Sequence, residues 1–415
     1  MSRFPLAVVY PDNLAALAVC RSLGERGVPV AVVSENRTAP AQYSRHARRV
    51  ASPPSGDGLA LVDTLVKLAR SEAEAPVLFL TDDASIVAVH QHRAALEPHY
   101  RFPMSPWPVL SRIMMKDQLY QSLEGVVPVP RTRVPADASE LEDIARELGF
   151  PVLLKPRLRC LGEETEPSAV PFERCFGSKA IRASSFDELA AAYGAARARG
   201  FALVIQEEIE GPSSALVSLG LYATRQGTVP AAFTSRKLRQ VPADFGDGLV
   251  VQATQAPELI ALGERIVRHF GYFGIADIEF KWEPRTGVYK VLDINPRPWL
   301  WMNLPTACGV NLAYAAYLDA VGRPVEAADF VQRDYRMRWV SVRGLLVHLV
   351  RSIRAKQPLE GLRTLAGQFG GRRVGPLWSA DDLLVRMFAS PAFWRDSLVE
   401  AATRLKQLRM AQQER

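Results

Sequence analysis

The segment YKVLDINPR (Tyr289–Arg297) follows, across a short turn, the segment ADIEFKW (Ala276–Trp282). Both segments alternate apolar and polar residues with a period of two, which predicts two β-strands that each have one buried and one polar face. The residues between them, PRTG, are typical of a turn. If the hairpin is centred on Thr286, Glu279 lies directly across from Asp293, with a Cβ–Cβ distance of roughly 4.5–5.5 Å.

The polar face of this hairpin is suited to a cation. Two carboxylates that face each other repel, and a cation between them removes the repulsion. Glu279, Asp293 and the amide of Asn295 offer hard oxygen ligands, which suit a Mg²⁺ ion that keeps waters and bridges phosphates. Arg297 follows, and arginine grips phosphate or carboxylate with two donors at once. A hairpin with solvated acidic residues is the simpler alternative, and the Asn-Pro-Arg sequel favours the metal–phosphate interpretation.

The length and composition indicate a globular protein with two or three domains. The chain has 415 residues, of which 48% are hydrophobic and 23% charged, as is ordinary for soluble proteins. The net charge of +7 suits anionic ligands but does not indicate nucleic acid as a partner. No apolar run approaches the roughly 18 residues of a membrane span, and the first residues lack a secretory signal. We therefore expect a cytoplasmic protein without a transmembrane segment.

The cysteines and histidines do not indicate a disulfide framework or a zinc site. The four cysteines, Cys20, Cys160, Cys175 and Cys308, show no CxxC spacing, and the six histidines do not cluster with them. Each cysteine is therefore interpreted as a small buried or incidental residue.

The first hundred residues predict an α/β domain. A strand over Pro5–Tyr10, a helix over Leu14–Arg26 and a strand over Val28–Val33 form a βαβ unit. Its first turn lacks the G-x-G-x-x-G pattern of dinucleotide-binding loops. A further strand ends at Asp82 and Asp83, where open α/β sheets place ligands, although capping of the next helix is the favoured role. A proline-rich stretch marks a domain boundary near residue 108.

The middle of the chain predicts helices over Ser111–Leu123 and Asp137–Leu148, followed by an apolar strand that delivers Lys155. A lysine in an apolar strand is costly unless its ammonium has a partner, which favours a functional role. The irregular stretch Arg157–Ser178 leads to Lys179. Such a loop could fold over phosphates or could be a surface excursion.

Two later segments also carry charge. The strand that ends in QEEIEG is followed by SRKLRQV (Ser235–Val241), which is interpreted either as a solvated edge strand or as a source of cations for an anionic substrate. Beyond about residue 330 the chain is rich in arginine and tryptophan, and Asp381–Arg409 has helical periodicity with a basic face.

The order of these motifs resembles the ATP-grasp superfamily, in its carboxylate–amine ligase branch, which includes predicted ATP-dependent carboligases and D-aspartate ligase-like enzymes. The resemblance covers about residues 1–325 and includes MMKDQLY, LLKP, QEEIEG, SRKLRQV and the EF…LDINPR pair. It implies an α/β (α+β) fold in three parts: a pre-ATP-grasp domain at 1–108, a two-lobed ATP-grasp domain at 109–327 with lobes at about 109–203 and 204–327, and a mostly helical, basic extension at 328–415.

The resemblance also implies a set of site residues. ATP would be bound by Lys116, Lys155, Lys179, Gln206, Glu207, Glu208 and Ile209, with the adenine at the hinge between the lobes. Magnesium would be bound by Glu279, Asp293 and Asn295. Arg297 and Arg239 would supply positive charge at the reaction centre. The family usually has Glu in place of Asp293, and its segment after the strand lysine is usually richer in glycine than the one after Lys155.

The implied activity is ATP-dependent ligation of a small carboxylate to an amine, both amino-acid-like, through an acyl phosphate. The implied cofactors are ATP and Mg²⁺, with Mn²⁺ as a substitute. A kinase-like phosphotransferase and a non-catalytic nucleotide-binding scaffold are alternatives. The basic C-terminal region could pack on the core, cover the active site, form a homodimer or lie on an anionic membrane surface.

Overall fold

The computed structural model describes residues 4–35, 39–51, 58–158, 171–212, 215–241, 246–354, 358–366 and 370–377, and the single residues 379, 382 and 385. Within them, no helix is both long and apolar enough to cross a membrane. Cys20, Cys175 and Cys308 are free thiols, and Cys160 lies outside these residues.

The N-terminal part is a four-stranded parallel sheet with helices around it. Its strands are β1 (Ala7–Tyr10), β2 (Val30–Ser34), β3 (Ala47–Ala51) and β4 (Val77–Leu80), in the order β3-β2-β1-β4. Its helices are α1 (Leu14–Gly24), α2 (Gly58–Arg70), α3 (Asp83–Gln91) and α4 (Arg93–Leu96). The strands β1, β2 and β4 are buried throughout, as expected where helices cover both faces of a parallel sheet. The predicted βαβ opening is confirmed.

The first lobe of the central part has a four-stranded antiparallel sheet in the order β5-β8-β6-β7. Its strands are β5 (Thr132–Arg133), β6 (Val152–Pro156), β7 (Ile181–Ala183) and β8 (Leu203–Glu207). Two helices, α5 (Trp107–Met114) and α6 (Lys116–Leu123), precede this sheet in the chain. The helices of the lobe itself are α7 (Leu141–Leu148), α8 (Phe172–Phe176) and α9 (Phe186–Arg197).

The single helix predicted over Ser111–Leu123 is wrong, because the structure has two helices there. Met115 has φ −83° and ψ 114°, which is extended backbone, and it therefore separates α5 from α6. The helix predicted from Asp137 begins as a 3₁₀ turn that Asp137 caps, and it becomes α-helical at Leu141. The break at Met115 places Lys116 at the start of α6.

The second lobe has a seven-stranded sheet in the order β13-β12-β9-β10-β11-β14-β15. Its strands are β9 (Leu216–Ala223), β10 (Ala231–Val241), β11 (Asp247–Ala253), β12 (Gly274–Glu283), β13 (Val288–Asn295), β14 (Arg338–Val340) and β15 (Arg373–Val374). Its helices are α10 (Pro257–Phe270), α11 (Asn303–Ala307), α12 (Leu312–Ala320), α13 (Val342–Arg354) and α14 (Pro358–Ala366). Because β10 lies between β9 and β11, Ser235 and Arg236 pair with both strands, whereas the later residues of Ser235–Val241 extend beyond β9 and pair with β11.

The C-terminal region contacts both the second lobe and the N-terminal part. The strand β14 extends the seven-stranded sheet by pairing with β11. Asp382 is fully buried against the N-terminal part, where it accepts a 2.9 Å hydrogen bond from Arg21 Nε and a 2.7 Å bond from Ser44 Oγ. Apart from Asp382 and Val385, the helix predicted over Asp381–Arg409 lies outside the described residues.

Candidate active site

The hairpin of β12 and β13 has the predicted pairing at its polar end. Glu279 lies opposite Asp293, and Asp277 lies opposite Asn295. Nearer the turn the register differs by one residue, since Phe280 pairs with Val291. A regular ladder continued from the turn would therefore bring the residue before Asp293, not Asp293 itself, opposite Glu279. A β-bulge absorbs the extra residue and restores the pairing of the two carboxylates.

The bulge also connects the hairpin to α6. The carbonyl oxygen of Leu292, the extra residue, accepts a 2.5 Å hydrogen bond from Tyr120 Oη. Val291 N donates to the carbonyl oxygen of Pro128 at 2.9 Å. Tyr120 lies one turn after Lys116 in α6, so the same helix contacts the hairpin twice. The bulge therefore positions the lysine as well as the carboxylate.

Each of the two opposed carboxylates binds a lysine. Lys116 Nζ donates to Asp293 Oδ1 at 2.7 Å, and these side chains are 7% and 13% exposed. Lys237 Nζ donates to Glu279 Oε1 at 2.8 Å, with side-chain exposures of 6% and 22%. Burial raises the pKa of Glu279, but the charge and hydrogen bond of Lys237, together with the charge of Lys179, outweigh it, and the pKa lies below its ordinary value. The pair of carboxylates is thus a site that attracts positive charge.

Lys237 was not among the predicted site residues, although its segment SRKLRQV was. Arg239 was predicted instead, and the structure places it on the exposed side of β10. Lys237 follows Ser235 by two positions, and Ser235 pairs with Ser218, which in turn pairs with Glu279. The pairing of these three strands, which the sequence does not show, therefore places Lys237 beside Glu279.

Asp277 is a third carboxyl group at this site that was not predicted. It is 1% exposed, and its Oδ1 has no hydrogen-bond partner in the described residues. Burial and the charge of Glu279 raise its pKa to about 8, against the charges of Lys237 and Arg297. Its place two residues before Glu279, on the same face of β12, was the signal in the sequence.

The other predicted lysines lie on the first lobe. Lys155 Nζ donates to Gln206 Oε1 at 2.6 Å, and both residues are buried. Gln206 Nε2 in turn donates to Thr132 Oγ1 at 2.8 Å, so the sequence-predicted pair Lys155 and Gln206 forms one network. Lys179 is half-buried, and its charge contributes to the lowered pKa of Glu279 across the two lobes.

The end of β8 and the residues after it contact the hairpin of the second lobe. Glu207 accepts from Arg131 Nε at 2.7 Å and from Lys290 Nζ of β13 at 2.7 Å. Lys281 Nζ of β12 donates to the carbonyl oxygen of Ile209 at 2.6 Å. The side chain of Glu208 instead accepts from Arg182 Nε of β7 at 2.6 Å. Two lysines of the hairpin therefore hold this connection, whose residues were predicted to contact adenine.

Arg297 is held by the N-terminal part. Its Nε lies 2.5 Å from Asp83 Oδ1 and its Nη2 lies 3.1 Å from Asp83 Oδ2, which is a two-pronged ion pair. The neighbouring Asp82 caps α3 by accepting from Ser85 N at 2.8 Å. The predicted capping role is confirmed for Asp82, whereas Asp83 fixes the position of Arg297.

The residues of the hairpin fit a magnesium ion by their chemistry. Within the described residues, no group of three or more His, Cys, Asp or Glu side chains is arranged to hold a metal ion. The predicted set is smaller, two carboxylates and the amide of Asn295. These are hard oxygen donors, and the two ammonium groups beside them show that positive charge is stabilised there. Glu279, Asp293 and Asn295 therefore remain the residues that would hold Mg²⁺.

Comparison with known proteins agrees with this fold. A family model described as "ATP-grasp in the biosynthetic pathway with Ter operon" matches residues 221–343. D-aspartate ligase of Enterococcus faecium (strain Aus0004) is 22% identical over 353 residues, which are 81% of this chain and 82% of that protein.

Solved structures show the same architecture. L-amino acid ligase from Bacillus licheniformis superposes with a TM-score of 0.59 at 15% identity, over 81% of this chain and 78% of that one. The biotin carboxylase domain of Hydrogenobacter thermophilus 2-oxoglutarate carboxylase, solved with MgADP, ADP and bicarbonate, gives 0.61 at 19% identity, over 80% and 73%. Residues 221–343 are therefore similar to ATP-grasp proteins, and the chain shares the overall fold of these solved enzymes.

Proposed function

We propose that this protein is an ATP-dependent ligase that joins the carboxylate of one small molecule to the amine of another and releases ADP and phosphate. The observation that carries the proposal is the pair of opposed carboxylates, Glu279 and Asp293, each bound to a buried lysine and close to an arginine that is fixed in place. This arrangement provides alternating charges where phosphates and a carboxylate must meet.

The nucleotide would lie between the two lobes. We assign the adenine to the connection after β8, with Gln206, Glu207, Glu208 and Ile209 around it. Lys116, Lys155 and Lys179 would bind the phosphates. A Mg²⁺ ion on Glu279, Asp293 and Asn295, or Mn²⁺ in its place, would neutralise phosphate charge when bound.

The chemistry would take place beyond the carboxylate pair, in two steps. An oxygen of the acid attacks the γ-phosphorus in line, and the bond from that phosphorus to the bridging oxygen of ADP breaks. The amine nitrogen then attacks the carbonyl carbon of the acyl phosphate, phosphate leaves, and the nitrogen loses a proton. Arg297 would orient the acid, and Arg297 or Arg239 would stabilise the oxyanion of the second step.

Amino acids are the substrate class that the relatives favour. The similar proteins include one named D-aspartate ligase and one named L-amino acid ligase. An amino acid can serve as either the acid or the amine. We therefore propose that at least one of the two substrates is an amino acid.

The test is a matrix of pooled carboxylates against pooled amines, each with ATP and Mg²⁺, read by release of ADP and phosphate. We expect release only in wells that contain both a suitable acid and a suitable amine, together with an amide product by mass spectrometry. Release of AMP and pyrophosphate would contradict the proposal. A phosphorylated product that accumulates without amine would indicate a phosphotransferase, and nucleotide binding without turnover in any well would indicate a scaffold.

A further inference from the structure

The polar face of β12 runs from the nucleotide end of the site to its opposite end. Lys281, Glu279 and Asp277 occupy alternate positions of this strand, with steps of about 6.6 Å between them. Lys281 contacts the connection between the lobes, and Glu279 lies at the centre of the site. Asp277 therefore lies at the end that is remote from the nucleotide and closest to where the substrates must react.

Among the residues that the structure describes, Asp277 has no ion-pair partner, unlike the other acidic residues of the site. Glu279 is bound by Lys237, Asp293 by Lys116 and Asp83 by Arg297. In the part of the chain that the structure describes, Asp277 Oδ1 accepts no hydrogen bond although the residue is 1% exposed. An acidic oxygen buried without a donor is costly, and such groups in proteins usually await a ligand or water.

The ring of Trp299 packs against the strand position opposite Asp277. Gly220 of β9 lies opposite Asp277, and the ring of Trp299 packs so closely that a Cβ on Gly220 would lie 2.4 Å from it. Trp299 Nε1 is also buried without a partner in the described residues. Because the glycine leaves room for this ring, Trp299 packs on the face of the sheet that carries Asp277.

Arg297 supplies the opposite charge at this end of the site. It is fixed by Asp83, and its charge acts on Asp277. A ligase must bring together a carboxylate, which suits a guanidinium, and an amine, which arrives in water as an ammonium ion. The structure thus provides one fixed cation and one unpaired acidic residue where a ligase needs to hold two substrates of opposite charge.

We infer that Asp277 binds the ammonium group of the amine substrate, in a subsite next to Trp299. This inference rests on the proposed ligase function and deepens it. The ligand class is a primary ammonium compound, such as an amino acid, whose N–H groups would donate to the buried Oδ1 of Asp277. Glu279 and Asp293 keep their roles toward the metal and the phosphates.

The full-length protein with the substitution Asp277→Asn tests this assignment by steady-state kinetics. With an acid and amine from the matrix, we expect the KM for the amine to rise at least tenfold, and the KM for ATP and the Mg²⁺ dependence to change less than twofold. Hydroxylamine, which is mostly uncharged at neutral pH, can replace the amine and give a hydroxamate. We expect hydroxamate formation to fall by a much smaller factor than amide formation.

Several kinetic outcomes would overturn the inference. They are an unchanged KM for the amine, equal losses with the amine and with hydroxylamine, and a shifted Mg²⁺ dependence that assigns Asp277 to the metal. Asp319→Asn is the matched control, because Asp319 accepts a hydrogen bond from Tyr222 Oη away from the carboxylate pair. It should leave the KM for the amine unchanged.

A binding measurement keeps the inference testable even if the matrix yields no ligase turnover. The Tm of the full-length protein with ADP and Mg²⁺ is measured with single amino acids and with their N-acetyl derivatives, which lack the ammonium group. We expect some free amino acids to raise the Tm of the wild type and of Asp319→Asn. The same amino acids should not raise the Tm of Asp277→Asn. The N-acetyl derivatives should not raise the Tm of any of the three proteins. Equal rises in wild type and Asp277→Asn, or none in the wild type, would overturn the inference.

Discussion

Lys237 shows how a single residue changes the interpretation of the site. The sequence pattern singled out its segment for positive charge, yet only the pairing of β9, β10 and β12 shows which cation contacts Glu279. Side chains two positions apart on one strand share a face, so Lys237 and Arg239 cannot be distinguished by period alone. Two irregularities in the pairing of β10 with β11 lie at Arg239 and separate their surroundings.

We predict that Lys237→Met and Arg239→Met have different effects on stability. Lys237→Met leaves Glu279 without its partner, which should lower the free energy of unfolding by about 1–3 kcal/mol, less than for a fully buried pair because Glu279 is partly exposed. Arg239 is exposed, so Arg239→Met should change this energy by less than about 0.5 kcal/mol. Urea denaturation of the ligand-free proteins measures both values. Equal destabilisation would show that the contact of Lys237 with Glu279 does not matter.

Turnover should depend on Asp293 and Lys155. We predict that Asp293→Ala and Lys155→Ala each lower kcat/KM by roughly 100-fold or more, because each removes charge that the transferred phosphoryl group needs. Circular dichroism should show an unchanged fold. Lys67→Ala, at a side chain that is 75% exposed, is the control and should behave as wild type. Near-wild-type turnover in either of the first two variants would refute their assignment.

At the scale of elements, the hairpin was predictable and its bulge was not. The alternation of ADIEFKW and YKVLDINPR predicts both strands and their polar faces. The position of the β-bulge depends on two contacts between residues that are distant in sequence. Leu292 contacts Tyr120, and Val291 contacts Pro128. The break between α5 and α6 was missed for a similar reason, since Ser111–Leu123 carries no glycine or internal proline to mark it.

The bulge gives a prediction about Tyr120. Tyr120→Phe removes the donor to the carbonyl oxygen of Leu292 and should lower the free energy of unfolding by about 1–2 kcal/mol. Because Lys116 is on the same helix, the KM for ATP should also rise. Tyr335→Phe, at a residue that is 41% exposed, serves as the control in urea denaturation and steady-state kinetics. An unchanged stability of Tyr120→Phe would show that the bulge does not need this bond.

At the scale of the whole molecule, Asp83 couples the N-terminal part to the site. We predict that Asp83→Ala raises the KM for the acid by roughly 10- to 100-fold, because Arg297 loses the partner that orients it. Asp82→Ala removes the cap of the same helix and should lower stability by about 1 kcal/mol with an unchanged KM for the acid. Steady-state kinetics and urea denaturation compare the two variants. Equal KM values would contradict the positioning role of Asp83.

The junction of the lobes gives a pH dependence. Burial raises the pKa of Glu207, but its hydrogen bonds from Lys290 and Arg131 outweigh this and hold the pKa below its ordinary value of 4.5. The stability from Glu207 is therefore complete above this value and is lost as the pH falls through the lower, folded-state pKa. We predict that Glu207→Gln is less stable than wild type at neutral pH and that the difference shrinks in acid. The exposed Glu142→Gln control should show no such convergence in urea denaturation.

In the ligand-free protein, Lys116 and Lys237 act as the counter-ions of the opposed carboxylates Asp293 and Glu279. A divalent cation that binds Glu279 or Asp293 competes with Lys237 or Lys116 for the same carboxylate, and a phosphate that arrives with the metal can pair with the displaced ammonium. Metal and nucleotide should therefore bind with positive heterotropic cooperativity, and by linkage each strengthens the other's affinity by the same factor. The ligand-free protein would then discriminate against free Mg²⁺ and admit the metal together with the triphosphate.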